Sequence, residues 1–284
     1  MNPQAETAAS PDSLRVAAIQ MVSAATVDAN LRSAERLIAE AAAGGARLVA
    51  LPEYFVLLGR RDSDKVGVRE ADGAGPLQEF LADQARRLGI WLVGGTVPLA
   101  SSHPAKVLNS TLVHGPDGRR LARYDKIHLF GFRRDAEQFD EAATIVAGRT
   151  PVVFDVDPGQ GAAARWRVGL SICYDLRFPE LYRMLAPADL LLVPSAFTYT
   201  TGSAHWEILL RARAIENQCY VLAPAQGGRH ENGRRTWGHT MLIDPWGEVL
   251  AVRDEGEGVV IGDLLRERLS TVRAGLPALT HRVM

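Results

Sequence analysis

Short apolar runs that do not alternate with polar residues recur along the whole chain, in LRVAAIQ, RLVALPE, IWLVGGTVP, RVGLSIC, DLLLVPS and CYVLAPA. A strand with one wet face alternates apolar and polar residues, so strands that stay apolar at successive positions need cover on both faces. Stretches of helical period lie between them. Residues 30–43 place Leu31, Ala34, Leu37, Ile38 and Ala41 on one face before Gly44 and Gly45, and residues 77–88, 179–185 and 205–217 read the same way. Alternating covered strands and helices predict a layered α/β architecture. Two turn signals, Gly115-Pro116-Asp117-Gly118 in NSTLVHGPDGRRLARYDK and Asp244-Pro245-Trp246-Gly247 between MLID and EVLAV, predict antiparallel hairpins, so the sheets should be mixed.

There is no internal repeat, low-complexity linker or shift of composition after the N-terminus. Residues 14–284 therefore read as a single domain with a C-terminal extension, preceded by a disordered tail at 1–13. That tail, MNPQAETAASPD, has neither the basic start nor the apolar run of a secretory signal. A net charge of −1 argues against nucleic acid or an anionic membrane as partner, and apolar runs such as 190–193 and 219–223 are far too short to span a bilayer. Only Cys173 and Cys219 could form a disulfide, so the chain fits a reducing, cytoplasmic setting. One of the two is then free for chemistry.

Cys173 ends RVGLSIC, where an apolar strand gives way to a turn and a helix, Glu53 follows the strand in RLVALPEYF, and Lys126 follows the hairpin in RYDKIHLF. The carboxyl ends of strands in α/β sheets face the ligand crevice, and backbone N–H groups of a following turn can stabilise a thiolate or an oxyanion. Each residue also has an ordinary reading: an inert core thiol, a solvated loop glutamate, and a lysine paired with Asp125. Position alone does not choose between them. Among the seven histidines none makes an HxxxH or HxH pair with carboxylates at metal-ligand spacing, so no metal or other cofactor is called for, and His128 and His205 read as structural or pocket residues.

LPEYF, YDKIHLF and GLSICYDLRFPELYR, in that order, resemble the three signatures of the nitrilase superfamily of carbon-nitrogen hydrolases, and the resemblance runs from about Val16 to Asp263. It implies a four-layer α-β-β-α sandwich built from two mixed sheets. It also implies Glu53 as general base, Lys126 as cationic helper and Cys173 as nucleophile, with Lys126 and the Tyr174 N–H as oxyanion donors. A second glutamate of the family, expected between the lysine and cysteine motifs, fits Glu141, with Glu137 as the alternative and a plain surface acid as the ordinary account of either.

DLRFPELYR, SAHWEILLRARAIENQCYV and GRHENGRRTWGHTMLIDPWGEV resemble the branch of deaminated-glutathione amidases and omega-amidases, with AHWE, RARAIE, QCYV and DPWG nearer the former. The expected activity is hydrolysis of a small carboxylate-bearing amide through a thioester, or, in another class, a catalytically silent binding module that kept the fold. Arg177 is a candidate carboxylate clamp or a partner of Glu180, while Phe130, Phe197, Thr198 and Thr201 are candidate pocket residues; Cys219 reads as core. A homodimer or higher homo-oligomer is expected from the resemblance, with apolar residues at 178–185 as an interface.

Overall fold

The computed structural model describes residues 12–134, 137–159 and 165–283. Most of the expected tail, residues 1–11, lies outside that range, and Ser13 already opens a strand. The chain begins β1 (Ser13–Gln20), α1 (Val27–Ala43), β2 (Leu48–Ala50), α2 (Asp64–Gly67), α3 (Pro76–Leu88), β3 (Trp91–Val93), β4 (Val97–Ala100), β5 (Val107–His114) and β6 (Arg120–Asp125). It continues β7 (Gly131–Arg134), β8 (Glu137–Asp140), β9 (Val153–Val156), β10 (Trp166–Leu170), α4 (Pro179–Leu185), β11 (Leu190–Leu192), α5 (Tyr199–Asn217) and β12 (Tyr220–Ala223). It ends β13 (Gly227–Arg229), β14 (Arg235–Trp237), β15 (Thr240–Ile243), β16 (Val249–Arg253), β17 (Gly258–Leu265) and α6 (Arg266–Gly275).

Two mixed sheets result, ordered β17-β1-β2-β3-β5-β4 with β6 on β5, and β16-β15-β12-β11-β10-β9. Successive side chains of β1 point to opposite faces, and the core divides accordingly. Leu14, Val16 and Ala18 join Val168, Leu170, Leu222 and Leu242 of the second sheet in one cluster, which extends outward to Leu181 of α4 and Trp206 and Leu210 of α5. Ala17 and Ile19 instead meet Ala34, Leu37 and Ile38 of α1 and Leu81 and Ala85 of α3. Helices, sheet, sheet, helices is the four-layer order. Both expected hairpins form, β5 with β6 and β15 with β16. Among the described residues no helix is long and apolar enough to cross a membrane.

Three local readings change. IWLVGGTVP, expected as one strand, is two, β3 and β4, lying on opposite sides of β5. The break is at Gly95, whose φ of +44° is left-handed and whose Cα lies so close to the loop before Glu53 that an added Cβ would stand 2.1 Å from the Pro52 carbonyl oxygen. Cys173 does not close a strand: β10 stops at Leu170, and Cys173 is the first residue of a tight 3-10 turn, Cys173–Arg177. Helix α5 begins before position 205, at Tyr199, because the Thr198 hydroxyl accepts from the Thr201 N–H at 3.3 Å and caps it. The parallel neighbours β10 and β11, with β2 and β6 of the other sheet, thereby send their carboxyl ends to one edge.

Candidate active site

At that edge Lys126 is fully buried between two carboxylates. Its Nζ lies 2.8 Å from Glu53 Oε1, and 2.9 and 2.8 Å from Glu141 Oε1 and Oε2. Each acid is held from a second side. Glu53 accepts from Asn109 Nδ2 at 2.9 Å and from the Ala196 N–H at 3.0 Å, and Glu141 accepts from the Phe130 N–H at 2.7 Å and the Tyr54 hydroxyl at 2.8 Å. Lys126 is fixed through its backbone, which donates to Asn109 O at 3.0 Å and accepts from the Gly148 N–H at 2.8 Å. The side chain of Glu137, the alternative to Glu141, is outside the described residues.

Cys173 borders the same cavity as Glu53 and Glu141, and its sulfur sits close enough to Glu53 and the Ala196 amide for each to act on its acidity. Its φ of +48° is left-handed, a strained setting for a residue with a Cβ, held here by the Cys173 N–H donating to Pro194 O at 3.0 Å. With that N–H spent, the Tyr174 amide is the next donor in line. Burial pushes the thiol well above its usual range and the negative charge of Glu53 pushes it further, while Lys126 pulls the other way without prevailing. Burial also lifts Glu53 against the pull of Lys126. Burial would lower the Lys126 ammonium, but Glu141 and Glu53 outweigh it and hold it protonated. Burial would likewise lift Glu141, yet the contacts with Lys126 bring it below the usual carboxylate range. The arrangement therefore rests with a protonated thiol beside a protonated ammonium. It can pass the thiol proton to Glu53 when sulfur attacks an electrophile.

Asp175, which sequence reasoning left out, joins the cysteine turn to the lysine segment. Its buried carboxylate accepts from the Ile172 N–H at 2.9 Å, the Tyr124 hydroxyl at 2.7 Å and the His128 N–H at 2.9 Å, with His128 Nδ1 at 2.7 Å. Tyr124 and His128 flank Lys126 by two residues on each side, so this one acid sets the distance between ammonium and thiol. The alternation Tyr-x-Lys-x-His was visible in the sequence; its partner Asp175 was not. Asn109, in the NSTLV run, and Tyr54, beside Glu53, were likewise adjacent to recognised motifs.

The cavity measures about 680 Å³. Phe130 and Thr198 line it as expected. Arg177, Phe197 and Thr201 border an adjoining cleft of about 20 Å³ that shares Cys173, Phe130, Ala196 and Thr198 with the cavity. Arg177 lies over the Phe197 and Tyr174 rings at 5.5 and 5.8 Å, with Nη1 3.3 Å from His205 Nδ1, and among the described residues it pairs with no carboxylate, Glu180 included. Phe197 packs on Trp206 at 4.8 Å and Thr201 completes the cap of α5. The cations on the main wall are Lys65, Arg229, Arg234 and Arg235, the last three from GRHENGRRTW on the β13–β14 hairpin.

The carbon-nitrogen hydrolase family profile matches residues 15–274. The chain is similar to the deaminated glutathione amidase of Synechocystis sp., 44% identical over 272 residues that cover 94% of this chain and 97% of that protein. It is similar also to the chloroplastic omega-amidase of Arabidopsis thaliana, 38% identical over 254 residues, covering 87% of this chain and 66% of that protein. In three dimensions it resembles the crystal structure of the Caenorhabditis elegans NitFhit protein, with a TM-score of 0.84 at 36% identity, covering 96% of this chain and 65% of that one.

Proposed function

The chain belongs to the carbon-nitrogen hydrolase family and is an enzyme of that class, and from this we propose that it hydrolyses deaminated glutathione or a near analogue through a thioester on Cys173. The observation that carries the reading is the convergence of buried Glu53 and Lys126 and partly buried Glu141 on a thiol at the wall of one cavity. Glu53 takes the thiol proton as sulfur bonds to the amide carbon, and the carbonyl oxygen becomes an oxyanion facing Lys126 and the Tyr174 N–H. The tetrahedral species collapses, the C–N bond breaks, and Glu53 returns the proton to the departing amine. Water then gives a proton to Glu53 and attacks the thioester, the C–S bond breaks to release the carboxylic acid, and Glu53 passes the proton to the departing sulfur, restoring the thiol. Lys126 already directs its N–H groups at Glu53 and Glu141, so stabilising the oxyanion requires it to turn one of them.

The size of the cavity supports a substrate longer than a five-carbon keto-acid amide. At about 680 Å³ it falls within the roughly 300–1,000 Å³ range of sites for drug-sized ligands. The similarity to an omega-amidase supports α-ketoglutaramate as the second candidate. The two separate in one assay of the purified protein with deaminated glutathione, α-ketoglutaramate, simple nitriles and N-carbamoyl amino acids. Deaminated glutathione should show the highest kcat/KM; faster turnover of α-ketoglutaramate moves the assignment to the omega-amidase, and a preference for nitriles removes it.

We also propose that the protein works as a homo-oligomer. The helix expected to supply the interface turns Leu181, Tyr182 and Leu185 inward and leaves Met184 exposed, while Ile208 and Ile215 of α5 and Trp246 of the neighbouring turn are exposed as well. Sedimentation at micromolar concentration should give at least a dimer, and Ile208→Glu should shift it toward monomer; a wild-type monomer at that concentration refutes the assignment.

A further inference from the structure

Four cations line the cavity, and two of them are committed. Arg234 Nη2 pairs with Asp62 Oδ1 at 2.6 Å while its guanidinium lies over Phe139 at 5.1 Å, and Arg235 Nη2 pairs with Glu255 Oε1 at 2.5 Å while its guanidinium lies 3.8 Å over Tyr199. Lys65 and Arg229 differ: among the described residues neither has a carboxylate within ion-pair distance. Lys65 Nζ is 3.3 Å from the Thr144 hydroxyl and 5.1 Å above the Tyr54 ring, contacts that leave its ammonium without a direct ion pair. Burial lowers its pKa, and Asp62 and Glu141, acting in the opposite direction, do not make up for it, so an anion in direct contact would offset the remaining desolvation. The catalytic cluster itself is net negative, two carboxylates to one ammonium, and would repel an anionic substrate unless charges of this kind met it.

The two cations also sit at different depths. Lys65 stands over Tyr54, whose hydroxyl donates to Glu141 at 2.8 Å, which places it one aromatic ring from the catalytic cluster. Arg229 is exposed, at the end of β13. Acyl transfer orders the two halves of an amide in time: the amine leaves first, while the acyl half stays on sulfur until water arrives. The amine half should therefore face the mouth and the acyl half the inner wall.

Building on the amidase reading above, we propose that Lys65 and Arg229 form a two-point clamp for an amide with a carboxylate on each side of the scissile bond. Lys65 binds the acid of the acyl half, and Arg229 binds the acid of the departing amine. Deaminated glutathione, with a keto acid at one end and a glycine carboxylate at the other, has this layout; α-ketoglutaramate carries only the first acid.

The test uses the full chain with Lys65→Met, Lys65→Arg and Arg229→Met, assayed on deaminated glutathione and on the same compound with either acid capped as a carboxamide. Lys65→Met should raise KM on the uncapped substrate by roughly tenfold or more with kcat changed by less than about threefold, and Lys65→Arg should recover most of it. Capping the keto acid should erase most of the difference between Lys65→Met and wild type, and capping the glycine acid should do the same for Arg229→Met. Equal losses on capped and uncapped forms, or an unmoved KM, overturn the clamp while leaving the amidase assignment intact. Absence of wild-type turnover would instead remove the amidase assignment. Calorimetric titration of Cys173→Ala with deaminated glutathione judges the clamp independently of turnover: added Lys65→Met should weaken binding roughly tenfold, and equal affinity, or no binding to Cys173→Ala, overturns it.

Discussion

Cys173→Ala is expected to lower kcat/KM on the preferred amide by at least about 10⁴-fold, because no other group at the cavity can form the thioester. Cys173→Ser should fall nearly as far. A hydroxyl is a much weaker nucleophile than a thiol, and the buried Glu53 that must take its proton is unchanged in the variant. Both proteins should fold. Cys173 buries a single sulfur beyond Cβ, and its left-handed backbone is equally strained with Ala or Ser, so the melting transition should move by no more than a cost of about 1 kcal/mol. Cys219 supplies an internal control. It is buried in the core, and burial pushes its thiol far up, so an acyl adduct trapped by acid quench should appear by mass spectrometry on Cys173 alone. Undiminished turnover in Cys173→Ala would remove Cys173 as the nucleophile, and an adduct on Cys219 would move that role there.

How much of this could be read from the chain depends on whether a feature is local. Covered strands such as Leu190–Leu192 and the face Ala34, Leu37, Ile38, Ala41 of α1 are written in contiguous residues, and each formed where the pattern placed it. The split of IWLVGGTVP into β3 and β4 depends on β5 inserting between them, and β5 lies outside that run, at Val107–His114. Glu53, Lys126 and Cys173 were legible because each sits in a distinctive short motif, and Glu141 was reached only by its place between two of those motifs, with Glu137 as the alternative. Asp175 was hidden for the opposite reason: its three tethers, at Tyr124, His128 and Ile172, are features of folding rather than of composition. Arg177 was named because it is close to Cys173 in sequence, and it borders the small cleft beside Cys173 against Phe197; the cations of the larger cavity, from the hairpin around Arg229 and from Lys65, carry no such local signal.

Lys126→Met should damage the enzyme in a way that pH reveals. The ammonium is fully buried and is the cation that both Glu53 and Glu141 contact, so removing it leaves two desolvated carboxylates facing each other, a loss of about 3–5 kcal/mol. The pair responds by holding a proton that it would otherwise release. In the wild type Glu53 is already raised by burial, so the acid limb of kcat/KM should have its midpoint above the ordinary glutamate value of about 4.3. In Lys126→Met that limb should move to still higher pH, since the lowering influence of the ammonium on Glu53 is gone. Stability follows with the sign worked out. A carboxyl whose folded pKa is raised stabilises the fold below its unfolded pKa and loses that contribution as pH rises through the folded value. Wild-type Glu141, which Lys126 holds low, behaves the other way and contributes above the unfolded pKa. With the lysine gone both acids become raised groups, so the variant should melt at a higher temperature at pH 5 than at pH 8, while the Glu141 contribution in the wild type opposes such a slope. Lys126→Arg keeps the charge and should restore much of the stability, but its planar fork cannot reproduce three contacts made by one nitrogen, and activity should stay low. A Lys126→Met enzyme with the wild-type acid limb would show that the ammonium does not set the state of Glu53, and the proton transfer assigned to that pair would have to be placed elsewhere.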